Sequence, residues 1–192
     1  MQGPSTPRIR MHRPTDNLRN DHVLIAQGLG VLGGIAAHVR AGGQFPAADC
    51  AIALRFLREF VLAVHLRKEA ELVCPAVAMR GDDRAAELVG DLMRIQDEVV
   101  ELTHSLVLFW EPDTDLTPAE RSGFADTVDA VLVRLARMQQ LEESQLFVAC
   151  DADVPADDQL DWLQRFSQLE GERGNRAVWA QRLQPLLPWS RA

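Results

Sequence analysis

Apolar residues recur along this chain at three- and four-residue steps in four long stretches, the pattern of helices that bury one face. The first runs from about Asp16 to Arg40 with its seam on Leu18, Ile25, Leu29, Leu32, Ala36 and Val39, and Gly42-Gly43 predicts its end. The second opens near Pro46, a good first-turn residue, carries Leu54, Leu57, Val61, Val64 and Leu72, and ends around Met79 before Gly81. Pro75 lies in its last turns and should bend it or loosen one hydrogen bond. The third extends from about Asp83 to Trp110 on a heptad seam of Leu88, Leu92, Ile95, Val99, Leu102, Leu106 and Phe109. After a loop at Glu111-Pro-Asp-Thr-Asp, Thr117-Pro-Ala-Glu120 reads as a capping box with proline at the first helical position. The fourth helix then reaches about Ala149 with Phe124, Val128, Val131, Leu135 and Met138 inward. Two shorter amphipathic segments follow, about Asp157–Leu169 and Arg176–Leu187, separated by Gly171 and Gly174, and Pro188 is expected to close the ordered part.

No strand pattern competes, so the fold class is all-α. Four helices of about 25 residues, each about 37 Å long and joined by short connections, imply an up-down-up-down four-helix bundle. The expected division is a flexible N-terminal tail at residues 1–15, the bundle at 16–150, and a C-terminal helical extension at 151–192 packed on it. Trp110, Trp162, Trp179 and Trp189 would mark an interface if exposed; the more ordinary reading is that they dock the C-terminal helices onto the bundle. A chain of 192 residues can bury a core of this size.

Charge narrows the partners. The net charge is −8 and the pI about 5.1, which removes any general electrostatic case for nucleic acid or an anionic membrane. Arg8, Arg10 and Arg13 make only the leader locally basic. No secretory apolar region follows Met1, and no uninterrupted apolar run approaches the roughly 18 residues of a membrane span. Cys50, Cys74 and Cys150 are odd in number and widely spaced, which predicts reduced thiols in a cytoplasmic protein.

The candidate chemistry lies in two related stretches. His65-Leu-Arg-Lys-Glu69-Ala-Glu71-Leu-Val-Cys-Pro75 places an imidazole and a carboxylate four residues apart, on one face of a helix, where both reach the same metal ion. Met138-Gln-Gln-Leu-Glu142-Glu-Ser-Gln-Leu-Phe147 echoes it with a thioether in place of the imidazole. Rise per residue puts His22 about 9 Å from one pole of the bundle, His65 and Met138 roughly 15–20 Å in, and Gln96 about 20 Å in. One side chain from each helix thus converges on a layer, with Glu69 and Glu142 one turn nearer the pole. His104 reads as a boundary histidine, and His38 and His12 fall outside the layer.

These residues resemble the hemerythrin-like proteins of the HHE cation-binding family, whose bundles hold a non-haem di-iron centre. Asn20-Asp21-His22 is similar to the family's opening Asp-His element, and His65 to Pro75 to its His-x-x-x-Glu-x-Glu followed by a hydrophobic pair and proline. Leu92 to Glu98 resembles the third-helix element, with Ile95 and Gln96 where that family has Glu-His, and Phe166 to Gly174 resembles the segment that follows the bundle in larger bacterial members. The resemblance implies metal ligands His22, His65, Glu69 and Glu142, with Gln96 and Met138 in vacated ligand positions. Two imidazoles and two carboxylates suit one ion such as Zn²⁺ or Fe²⁺ rather than a di-iron pair. The implied function is a reduced, mononuclear iron site that senses or stores iron or dioxygen. The competing reading is a metal-free bundle kept as an interaction or regulatory scaffold; no nucleophile–base pair or phosphate loop supports an enzyme.

Overall fold

The computed structural model describes residues 13–106 and 116–191. Within them the chain is helical throughout, with no strand. Helix α1 is Pro14–Arg40. Helix α2 occupies residues 47–80 without a break, α3 is Asp83–Leu106, and α4 occupies residues 118–153. Then come α5 at Ala156–Arg173, α6 at Arg176–Leu183, and a closing 3-10 segment, Gln184–Arg191.

The helix limits follow from local chemistry. Pro14 occupies the first turn of α1, where its missing N–H costs nothing, and the Asp16 carboxylate accepts the Arg13 N–H at 3.3 Å. Pro14 and Thr15 are therefore buried first-turn residues, not part of a tail. Gly42, at φ 86, makes the left-handed turn that ends α1. The capping box that opens α4 is formed: Thr117 Oγ1 accepts the Glu120 N–H at 3.3 Å, and Glu120 accepts the Thr117 N–H at 2.7 Å.

Helix α1 packs on α2, α4 and the C-terminal segments, α4 packs on α3, and α2 packs on α3 and on the end of α4. The apolar seams meet in one core that includes Leu18, Ile25, Phe60, Val99, Phe124 and Phe147. The buried stripe of α1 is broader than its seam, taking in Leu24, Val31 and Ile35, because α6 and the 3-10 segment cover a second side of that helix. This also explains its composition. By length and hydropathy α1 could cross a membrane, which a search for uninterrupted apolar runs does not reveal, but half of the qualifying window is buried inside the protein. Cys50, Cys74 and Cys150 are buried free thiols, and burial pushes Cys50 and Cys150 up to about 12.

Near the end of α3, Leu102 packs against the core and Leu106 is fully buried, with buried Thr103 beside them donating its hydroxyl to the Val99 carbonyl at 2.7 Å. Two expectations need correction. Gly171 does not interrupt α5: buried Trp162, Phe166 and Leu169 hold the helix on the core up to the weak point, and the helix runs on to Arg173, where Gly174, at φ 99, ends it. Pro188 does not close the ordered part either. The 3-10 segment carries on to Arg191, tied down by the Trp189 indole N–H, which donates to Asp49 at 2.8 Å. Trp162 and Trp179 are buried and Trp189 packs on the core, so all three dock the extension. Trp110, Phe109 and the loop 111–115 lie outside the described residues.

The extension sits so close to α1 that a Cβ on Gly34 would lie 1.9 Å from the Trp189 carbonyl oxygen, whereas a Cβ on Gly90 of α3 would meet nothing within 4 Å. Alanine therefore has opposite effects at two helix-interior glycines. Gly34→Ala should destabilise by about 1–3 kcal/mol through overpacking, while Gly90→Ala should stabilise by about 0.5–1 kcal/mol through helix propensity. Urea unfolding measures both; a Gly34→Ala variant as stable as the parent would mean that the segment does not rest on α1.

Candidate metal centre

Three helices supply a cluster of polar groups in the core. α1 contributes Asp21 and His22, α2 contributes His65, Lys68 and Glu69, and α4 contributes Glu142, with the exposed Glu143 reaching His22 from the surface. On α2 the spacings of three and four residues put these side chains on one face. That face is widened by local backbone geometry. Leu57–Leu66 and Glu69–Val73 close i→i+5 hydrogen bonds rather than i→i+4, as does Glu142–Leu146 on α4. Such wide turns in an α-helix are rare and concentrate at functional sites. In α2 the cause is Pro75, which has no N–H to offer the Glu71 carbonyl, and the loosened bond expected from sequence is realised as a wide turn. There the Cys74 N–H reaches back to the Glu69 carbonyl. In α4 the Phe147 N–H reaches the Glu142 carbonyl in the same way, with no proline to require it. The echo is thus structural as well as sequential: after Glu69 the buried residues are Val73, Cys74 and Val77, and after Glu142 they are Leu146, Phe147 and Cys150, at matching steps.

One ligand atom each from His22, His65, Glu69 and Glu142 lies within 4.8 Å of the others, and all four residues are buried. His22 Nε2 is 3.1 Å from Glu142 Oε2, His65 Nε2 is 3.8 Å from Glu69 Oε1, and the two imidazole rings are 4.9 Å apart. Glu69 lies one helical turn from His65, and its side chain still brings an oxygen to the imidazoles. Glu69, with only 3 % exposure, is also no solvated partner of a surface cation.

The far side of each imidazole decides its near side. His22 Nδ1 lies 2.7 Å from Glu143 Oε1, and His65 Nδ1 lies 3.4 Å from Asp21 Oδ2. An ionised carboxylate only accepts, so both Nδ1 atoms carry a proton, and in the neutral imidazoles both Nε2 lone pairs face the cluster. With His22 neutral, its Nε2 and Glu142 Oε2 are two acceptors in contact, and they need a positive charge between them, either a second proton on His22 or a cation. Among the described residues, the buried side-chain atoms that lack a hydrogen-bond partner are His22 Nε2, His65 Nε2, Glu69 Oε1, both Glu142 oxygens and Gln139 Nε2. All but the last belong to this cluster. Buried polar atoms are normally paired, and leaving one unpaired costs about 1–3 kcal/mol. Lys68 does not relieve them, because its ammonium is committed to Asp21, Asn17 and Glu170. A cation accepting two imidazole nitrogens and two carboxylates fits these orphaned atoms.

Ionisation follows the same logic. Burial, and then the neighbouring Glu142, push the Glu69 carboxyl well above its usual range. Burial pulls His22 down, but the Glu142 and Glu143 carboxylates outweigh it and hold the imidazole above its ordinary value. For His65 burial prevails over Asp21 and lowers it. Burial would raise Asp21, but His65 and Lys68 beside it hold its carboxyl well below the usual range.

Of the two positions that sequence marks as vacated, Met138 is buried on α4 one turn before Glu142, and Gln96 is half-buried on α3. His38 lies apart, 3.1 Å from the Gln44 carbonyl and against Trp189; His104 is exposed, and His12 is outside the described residues. Sequence reasoning missed Lys68, Glu143, Glu170 and Arg176. Lys68 left a signal, since it lies four residues after Val64 and three after His65, on the buried stripe of α2. Glu143 left none, being one of two adjacent glutamates.

The fold and site define an all-helical protein with a buried histidine–carboxylate cluster of the kind that takes a cation. Residues 13–150 match the family model of the hemerythrin HHE cation-binding domain, and the chain belongs to that family. Comparison with curated proteins and with solved structures gave no match.

The raised Glu69 gives a pH signature in the metal-free protein. A carboxyl whose folded value exceeds its unfolded value stabilises fully below the unfolded value, about pH 4, and that stability is lost as pH rises through the folded value. Glu69→Gln removes the titration and keeps the shape. In chelator, the variant should be no more stable than wild type near pH 4, yet gain on it by roughly 1–3 kcal/mol towards neutral pH. Parallel stability–pH curves for the two proteins would show that Glu69 is not ionising inside the core.

Proposed function

We propose that this protein binds a single non-haem metal ion, iron in keeping with its family, through His22, His65, Glu69 and Glu142 at the centre of an up-down-up-down four-helix bundle. The observation that carries this reading is the set of unpartnered buried atoms on those four residues, all turned toward one another. A ferrous ion there would supply a Lewis-acidic, redox-active centre with coordination positions left for a small ligand such as dioxygen. The protein's own contribution is to fix two imidazole tautomers, to hold two carboxylates in contact, and to exclude water from both. Gln96 and Met138 stand in the positions of missing ligands: a neutral amide and a soft thioether bind this kind of ion poorly, which favours one ion over two. We propose a sensing or storage role in the cytoplasm, where Cys50, Cys74 and Cys150 stay reduced, and assign no catalytic residue.

The rival reading, a metal-free scaffold, draws on Met138, which packs in the core with 2 % exposure and no need of a cation. It leaves the cluster's orphaned atoms without compensation, at about 1–3 kcal/mol each. Metal binding would reverse that cost.

Purified protein should take up one equivalent of Fe²⁺ or Zn²⁺ per chain, and His65→Ala with Glu69→Ala should abolish uptake. Metal at 100 times its dissociation constant should add about 2.7 kcal/mol, a rise in Tm of roughly 5–10 °C for a domain of this size. A Tm indifferent to metal would favour the scaffold, and two iron equivalents would show that Gln96 and Met138 do not impair the site. Restoring imidazoles with Gln96→His and Met138→His should lower the Tm of the metal-free protein and raise iron affinity by about 10-fold or more. Iron binding unchanged in that double variant would place neither residue at the site.

A further inference from the structure

Residues outside the family match reach the candidate metal centre. The match ends at residue 150, and α5 and α6 follow it. Lys68 and Asp21, on α2 and α1, are both completely buried, and their charges meet at 2.8 Å. A buried ammonium is tolerated only where every donor is satisfied. Lys68 satisfies its three on Asp21 Oδ2, on Asn17 Oδ1 at 2.9 Å, and on Glu170 Oε1 of α5 at 2.7 Å. The other Asp21 oxygen is taken by Arg176, the first residue of α6, at 2.6 Å. The same Arg176 nitrogen donates to the Asn17 carbonyl at 3.0 Å, so it grips one turn of α1. The result is two anions and two cations, formally neutral, with one member of each sign from the extension.

Asp21 is also the carboxylate behind His65. Its Oδ2 is shared between Lys68 and His65 Nδ1, and the His65 bond, at 3.4 Å, is long because the ammonium occupies the same oxygen. Such a bond depends on where Asp21 sits, and Arg176 sets that. We propose that the C-terminal extension is a working part of the metal centre: Glu170 and Arg176 hold the buried Lys68–Asp21 pair that orients His65 with its bare nitrogen toward the cluster. Without them Asp21 loses the partner of one oxygen and Lys68 one of its three acceptors. The His65 ring is then free to carry its proton on Nε2, the tautomer that faces a cation with N–H instead of a lone pair. Arg176, Glu170 and Lys68 are positioning residues, since each acts through Asp21. The other ion pairs from α2 to α5, Arg67–Glu172, Arg80–Asp158 and Arg165–Glu71, are exposed or half-exposed and of little weight.

The inference rests on the metal reading for its consequence but not for its geometry, so the test has one readout for each. In the full chain, Co²⁺ affinity is followed by its visible spectrum, and the His65 ring nitrogens are followed by NMR in metal-free protein. Arg176→Ala should weaken Co²⁺ binding about 10- to 100-fold and should move or broaden the His65 Nδ1–H signal. Arg176→Lys should recover part of both effects, and Glu172→Gln, in an exposed pair of the same extension, should change neither. If Arg176→Ala does not fold, Glu170→Gln, which keeps size and shape, takes the same two measurements. A folded Arg176→Ala variant with wild-type Co²⁺ affinity and unchanged His65 signals overturns the proposal. If wild type takes up no Co²⁺, the metal reading fails, and the ring signals alone decide whether the extension positions His65.

Discussion

Glu69 and Glu142 are two carboxylates brought together in the driest part of the core, and the design of the surroundings depends on that placement. Like charges in contact and out of water cannot both ionise without compensation. The nearest basic groups are two imidazoles whose protons are held on the far side by Glu143 and Asp21, which in the neutral rings leaves lone pairs, not N–H groups, facing the carboxylates. The one buried ammonium in reach, Lys68, is drawn away by three acceptors of its own. A core that only needed to pack would not collect acceptors against acceptors. A positive charge at its middle would balance the arrangement, in keeping with the cation-binding family to which residues 13–150 belong.

Backbone geometry serves the same placement. The i→i+5 turns that begin at Glu69 and at Glu142 come at matching places on α2 and α4, and the buried residues after them fall at matching steps. A wide turn adds a residue to one revolution and so changes which side chains face inward beyond it. That lets a buried carboxylate be followed directly by an apolar face that closes the core. Pro75 accounts for the turn on α2 because it withdraws an N–H. On α4 the same turn occurs without a proline.

Helical content and helix limits were legible from residue pattern because their causes are local. Seam spacing, the Thr117–Glu120 box, Pro14 and Gly42 act within a turn or two of where they stand, and the structure follows them to within a few residues. His65 and Glu69 could be paired on one face for the same reason. Adding His22 and Glu142 took a resemblance, because periodicity says that a residue is inward but not which inward residues from other helices it meets. Rise per residue gave a layer too coarse to show that the side-chain atoms of Glu69 and His22 come within 4.8 Å of one another.

The burial of Lys68, the tautomers of both imidazoles and the reach of Glu170 and Arg176 into the core were decided by tertiary structure alone. A lysine on an apolar stripe can turn out to water or stay in with partners, and the partners here come from α1 and α5, 47 to 102 residues away. The proton position on His65 depends on Asp21, 44 residues earlier, and that of His22 on Glu143, 121 residues later. Gly171 and Pro188 make the complementary point. Each is a local instruction to stop, and each is overridden because the segment that carries it is packed on remote parts of the chain, α5 through Trp162, Phe166 and Leu169 and the 3-10 segment through Trp189. Local rules hold where the chain answers only to its neighbours, and they yield where burial against remote segments outweighs a propensity of about 1 kcal/mol.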